Sequence, residues 1–172
     1  KKLYVMFDQM YWHLTYGSIQ HYNPVSLRPE MKEYTIFIDA ISKVFAATGV
    51  RVGWSMGPAA IINKMKAILT HIGAWAPMAE QKAVAYYLGN RSAIKKYLAH
   101  FKAEIEERLQ RIYEGFSALK SEGFAVEAIA PEAAIYLTIK LDLVGKKTAE
   151  GMVLAAQSDV TAYLLNKAGL AV

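Results

Sequence analysis

Hydrophobic positions follow different rules in different parts of the chain. In the first sixty residues they come as short unbroken runs. Leu3-Tyr4-Val5-Met6-Phe7 is closed by Asp8, Tyr34-Thr35-Ile36-Phe37-Ile38 is β-branched and aromatic, and Val50 to Met56 is punctuated by Gly49, Gly53 and Gly57. These runs predict strands over 3–8, 34–38 and 50–56. Continuous rather than alternating apolar residues point to a sheet covered on both faces, as in α/β proteins. Between the first two runs lie an aromatic-rich segment, Met10 to Tyr22, and the turn signals Asn23-Pro24 and Arg28-Pro29.

Further on, the period changes. Pro58 suits the first turn of a helix to about Thr70, Gly73 to Pro77 break it, and a second helix spans Met78 to Leu88. Ser92 reads as the cap of the longest element, in which Ile94, Tyr97, Phe101, Ile105 and Leu109 recur at three- and four-residue steps until Gly123. At 1.5 Å per residue such a helix is about 45 Å long, enough to link two domains. Beyond it Ile135, Leu137, Ile139 and Leu141 alternate with polar residues, which predicts a half-exposed strand that Phe124 to Ile129 can pair with. Ser158 reads as the cap of a last helix over 159–168. The expected organisation is residues 1–91 in one domain, 92–123 as a connecting helix, and 124–172 in a smaller α+β unit. Both ends read as interior points of a longer chain: Leu3 enters a strand with no leading turn, and Leu170-Ala171-Val172 begins an apolar run that stops.

Composition narrows the function. The 172 residues are 54% hydrophobic and 20% charged, which describes a folded globular chain. The absence of cysteine excludes disulfides, thiolate metal sites and cysteine nucleophiles, and fits a reducing, cytoplasmic setting. No apolar stretch is long enough for a membrane-spanning helix. Net charge is +5, but the basic residues are scattered, with adjacent pairs only at Lys1–Lys2, Lys95–Lys96 and Lys146–Lys147, so no nucleic-acid stripe forms. His13, His21, His71 and His100 lack metal-ligand spacing with carboxylates, and no metal is expected.

The chemistry is concentrated in two places. Asp8 ends the first strand with Tyr11 three residues later. Ser42 and Lys43 follow the second, and Arg51 comes eight positions after the lysine among glycines that let backbone approach closely. In open α/β sheets ligands sit beyond the carboxyl ends of strands, where Asp8 and Lys43 both fall. Singly, each residue has a plainer explanation: a solvated lysine, a turn aspartate, a packed tyrosine, a structural arginine, a serine that closes a turn. Together they carry more.

The combination resembles the pyridoxal phosphate enzymes of fold type I, specifically the class I/II aminotransferases, aspartate aminotransferase-like. Their pattern is Asp-x-x-Tyr after a strand, then Ser-Lys-x-Phe-x-x-x-Gly-x-Arg-x-Gly, matched here by Asp8, Tyr11, Ser42, Lys43, Phe45, Gly49, Arg51 and Gly53. The resemblance implies an α/β fold: part of a large domain with a mostly parallel sheet flanked by helices, and part of a smaller α+β domain joined by the long helix. It implies pyridoxal 5′-phosphate as cofactor, an amino acid and a 2-oxo acid as substrates, and a homodimer. Lys43 is then the amine that bonds the cofactor aldehyde and later shuttles a proton. Asp8 holds the pyridine nitrogen protonated, Tyr11 donates to the ring's phenolic oxygen, and Arg51, with help from Ser42, binds the phosphate.

The family commonly has a phosphate-binding serine three residues before the lysine, where this chain has Ala40. Its phosphate loop, ring-stacking aromatic and asparagine motif, and the arginine that grips the substrate carboxylate, have no counterpart among these residues. The chain matches somewhat under half of such an enzyme and is expected to turn over little on its own. Two alternatives stay open: other carbanion chemistry on the same cofactor, such as β-elimination or decarboxylation, and an aminotransferase-like sensor domain of a transcription regulator.

Overall fold

The computed structural model describes residues 3–171; Lys1, Lys2 and Val172, the last residue of the C-terminal apolar run, lie outside them. The first apolar run forms β1 (Val5–Asp8) and the second forms β2 (Thr35–Ala40). They pair in parallel, Val5 opposite Thr35 through Asp8 opposite Ile38. The segment between them holds one helical turn, α1 (Pro24–Leu27), capped by the Asn23 side chain. The third run forms β3 (Gly53–Met56), antiparallel to β2 with Phe37 opposite Met56 and Ala40 opposite Gly53. The sheet thus has order β1-β2-β3, with one parallel and one antiparallel pair where a mostly parallel sheet is expected. Burial on both faces is confined to the central strand. Thr35, Ile36, Asp39 and Ala40 are buried in β2, whereas Met6 on β1 and Met56 on β3 are exposed.

β3 begins three residues later than the apolar run predicts. Thr48–Val50 form a single 3₁₀ turn and Arg51 takes φ +59°, a left-handed conformation that cannot continue a strand. Gly53 has a clear steric reason: a Cβ there would stand 3.0 Å from the Asp39 carbonyl oxygen and 3.1 Å from the Ala40 Cβ. The close approach expected at Gly49 is not there, since that residue faces open space.

Three helices follow, α2 (Ala59–Ile72), α3 (Met78–Leu88) and α4 (Arg91–Ser121). Gly73 stops α2 at φ +64°. The start of α4 differs from expectation: Asn90, not Ser92, is the cap. Its Oδ1 accepts the Ala93 N–H at 3.1 Å, and the Ser92 hydroxyl, already inside the helix, donates to the same oxygen at 3.2 Å. None of these helices, nor any other helix among the described residues, is long and apolar enough to cross a membrane.

The chain divides into two compact units. One runs to Arg108 and takes back Pro131–Tyr136; the other comprises Leu109–Ala130 and the residues from Leu137 on, so α4 contributes to both. In the second unit β4 (Val126–Ala128) pairs antiparallel with β5 (Ile139–Leu141). The alternation from 135 to 142 therefore yields only a short strand, because residues 131–136 pack with the first unit instead. The last helix, α5 (Gln157–Ala168), has Ala156 rather than Ser158 at its N-cap, and Asp159 in its first turn reaches back, its Oδ2 accepting the N–H groups of Ala155 and Ala156 at 2.9 and 3.0 Å. Val160 of α5 and Leu154 are its most buried residues.

Candidate active site

Asp8 is the last residue of β1. The Gln9 N–H donates to the Ile38 carbonyl at 3.0 Å, so the chain leaves β1 still alongside β2. It then turns at once: Asp8 Oδ1 accepts the Met10 N–H at 3.1 Å, Trp12 N–H reaches the Gln9 carbonyl at 3.0 Å, and Leu14 N–H reaches that of Tyr11 at 2.8 Å. An aspartate that bonds backbone two residues on is what makes such a turn tight. The turn brings Tyr11 near Asp8. Its hydroxyl lies 2.7 Å from that of Tyr136. Partial burial, the Tyr136 hydrogen bond and the nearby Tyr136 and Asp8 charges push the Tyr11 phenol up to about 12.

The second loop leaves β2 after Ala40. Ser42 is buried and Lys43 half-buried in a run of turns closed by Ala46 N–H to the Lys43 carbonyl and Ala47 N–H to the Ser42 carbonyl, both at 3.1 Å. This loop is held by apolar packing. Ile41 and Val52 form a buried cluster with Val84 of α3, onto which Phe45, Val50 and Leu88 pack. Phe45 sits edge-on to Tyr87 at 5.7 Å and stacks on Tyr97 at 6.0 Å, and Val44 is 1% exposed. The motif phenylalanine is thus the bolt that ties the lysine loop to α3 and α4. The loop carries Ala46 at φ +49° and Arg51 at φ +59°; each costs roughly 1–3 kcal/mol in a non-glycine residue and persists only where its surroundings enforce it. Arg51 is exposed, and one of its guanidinium nitrogens donates to the Thr48 carbonyl at 2.8 Å.

Asp8 and Tyr11 therefore lie on the loop from one strand, and Ser42, Lys43 and Arg51 on the loop from its parallel neighbour, all at the carboxyl edge. Among the described residues no ion pair joins Lys43 to Asp8. A cleft of about 670 Å³ runs between the sheet and α2, lined by Met10, Arg51, Trp54, Met65 and Trp75 among others. It meets the edge at Met10 and Arg51, but Asp8, Tyr11 and Lys43 do not line it.

Two residues of this neighbourhood escape a sequence reading. Asp39 is 6% exposed and accepts the Trp12 indole N–H at 3.1 Å and the Ala40 N–H at 2.8 Å. Burial raises its carboxyl above the usual aspartate range, and those hydrogen bonds offset part of the rise. An aspartate inside an apolar strand was the available signal. Tyr136 left none, since its partner is 125 positions away.

Known proteins resemble this chain in sequence and fold. The description "Aminotransferase class I and II" matches residues 1–172. A Rickettsia felis protein called "Probable aspartate/prephenate aminotransferase" is 29% identical over 170 residues, covering 98% of this chain and 40% of that protein. The aspartate aminotransferase of Bacillus sp. (strain YM-2) is 30% identical over 169 residues, with 98% and 40% covered. The crystal structure of the Rhizobium meliloti aspartate aminotransferase superposes with a TM-score of 0.85 at 26% identity, covering 98% of this chain and 40% of that one. The chain belongs to the class I and II aminotransferases, and it spans about two fifths of the length of the curated relatives it matches.

That family works with pyridoxal 5′-phosphate, and the donor set fits this group: an anion for a pyridinium, a hydroxyl donor for a phenolic oxygen, an amine for an aldehyde and a guanidinium for a phosphate. Ala40 adds no hydroxyl to that set. It is buried opposite Gly53 and lines the cleft beside the sheet.

Proposed function

We propose that this chain is the lysine-bearing part of a pyridoxal phosphate-dependent aminotransferase that moves an amino group between an L-amino acid, aspartate first among the candidates, and a 2-oxo acid. The observation that carries the reading is the position of Asp8 and Lys43 at the carboxyl ends of paired parallel strands. When bound, pyridoxal phosphate supplies an aldehyde and an electron-withdrawing ring. Lys43 would provide the amine that holds the cofactor and would carry a proton at Nζ during the transfer. Asp8 would keep the ring nitrogen protonated, Tyr11 would donate its hydroxyl to the ring oxygen, and Arg51, assisted by Ser42, would hold the phosphate. In this reading residues 1–91 belong to the cofactor-binding domain, 92–123 to the connecting helix and 124–172 to the small domain of a cytoplasmic homodimer.

Incubation with pyridoxal phosphate, borohydride reduction and peptide mapping tests the reading. The pyridoxyl label is expected on Lys43 and lost in Lys43→Ala. Label on another lysine, or on none, overturns the reading.

A further inference from the structure

The contact between Tyr11 and Tyr136 is built from far apart in the sequence. The two hydroxyls are 2.7 Å apart and the rings meet edge to face with centroids 5.6 Å apart. Tyr136 ends the segment Pro131–Tyr136, which departs from its sequence neighbours to pack with the first unit. Three bonds stitch it to the loop after β1. Tyr16 N–H donates to the Glu132 carbonyl at 2.9 Å, Ala134 N–H donates to the Leu14 carbonyl at 2.8 Å, and the Tyr16 hydroxyl donates to the Ala134 carbonyl. Leu14 and Tyr16 are 0% and 3% exposed, so the anchor is buried. Ala134 stands at φ +64°, the third left-handed non-glycine residue of the described chain. The other two are in the lysine loop. Tyr136 itself remains 62% exposed. Burial of its ring does not explain this construction, whereas fixing its hydroxyl does.

We propose that Tyr136 is a positioning residue for Tyr11. Its hydroxyl fixes the Tyr11 hydroxyl and donates to it when Tyr11 gives its own hydrogen to the ring oxygen of bound pyridoxal phosphate. This rests on the reading of the site given above. Two hydroxyls in series polarise one another, which makes the terminal one the stronger donor. With Tyr136 as donor, the Tyr11 oxygen has a partner without spending its own hydrogen. Asp8 and Tyr136 are the titratable groups whose fields reach the Tyr11 phenol, and both favour its protonated form.

The test uses the chain with pyridoxal phosphate as probe. Tyr136→Phe keeps the ring contact and removes the hydroxyl. Borohydride is expected still to label Lys43, while affinity for pyridoxal phosphate falls roughly fivefold, as for one lost hydrogen bond, and the pH midpoint of the visible band moves. The control Tyr86→Phe, at a residue 88% exposed, should change neither. Unchanged affinity and midpoint in Tyr136→Phe, with Lys43 labelled, overturn the role of Tyr136 and leave the Lys43 reading intact. Absence of label on Lys43 in the unsubstituted chain defeats that reading and this proposal with it. Should Tyr136→Phe not fold, the decision passes to the unsubstituted chain with carbon-13-labelled tyrosine. Tyr11 titrating near 12 supports the contact, and titration at the ordinary tyrosine value overturns it.

Discussion

The loops leaving β1 and β2 start side by side on one sheet edge, yet they are held in opposite ways. The lysine loop is fixed by apolar packing: Ile41 and Val52 cluster with Val84 of α3, Phe45 meets Tyr87 and Tyr97, Val44 is buried, and the backbone holds two left-handed residues. The Asp8–Tyr16 loop is fixed by hydrogen bonds, first its own turn at Asp8 and then the stitch to residues 131–136. Lys43 thus stands on the apolar support, and Asp8 and Tyr11 stand on the hydrogen-bonded one. Hydrophobic packing tolerates no missing volume, whereas a single hydrogen bond is worth little net, so the two loops should differ in their sensitivity to substitution.

The largest effect is expected at Phe45. Phe45→Ala removes the ring that meets Tyr87 and Tyr97 and should cost about 3 kcal/mol, read as a lower urea midpoint at unchanged slope. Tyr16→Phe takes the hydroxyl from the Ala134 carbonyl and should cost about 1 kcal/mol, with hydrogen exchange rising in residues 131–136 more than in the lysine loop. If Tyr16→Phe proved as damaging as Phe45→Ala, the contrast between the loops would be wrong.

The smallest effect concerns Asp39, which touches both systems through Trp12 and β2. Because burial raises its carboxyl, the folded state holds a proton that the unfolded chain releases first. Stability from this source is complete below the unfolded value and is lost as pH rises through the folded one. Melting temperature against pH should therefore slope downward just above the ordinary aspartate range, and Asp39→Asn, which keeps an oxygen for Trp12, should flatten that slope.

Much of this was legible in the sequence. The three apolar runs became strands because unbroken β-branched residues have few other uses, and the helices followed from Pro58, Pro77 and the long periodic stretch. The spacing of Asp8, Tyr11, Lys43 and Arg51 pointed to a sheet edge, and these residues stand on the two loops that leave β1 and β2 there. What stayed hidden has a common cause. The antiparallel entry of β3 depends on Arg51 turning left-handed, which no propensity predicts. The caps at Asn90 and Ala156 each lie two residues before the serine that the sequence offers, because Asn90 and Asp159 supply the side-chain acceptors there. The alternation from 135 to 142 described a strand correctly in local terms, but tertiary contacts claimed its first half for another unit. Tyr136 and Asp39 have meaning only through partners that local pattern cannot see.

Ala46 and Arg51 hold shapes that a glycine would adopt at little cost, and this bears on how such a protein could be improved. A screen for thermal tolerance would readily select Ala46→Gly, since the relieved backbone repays the change immediately. The same substitution would free the lysine's support to wander. An engineer who ranks variants by melting point alone would therefore be trading away aim for endurance, and should score cofactor capture alongside heat resistance from the first round.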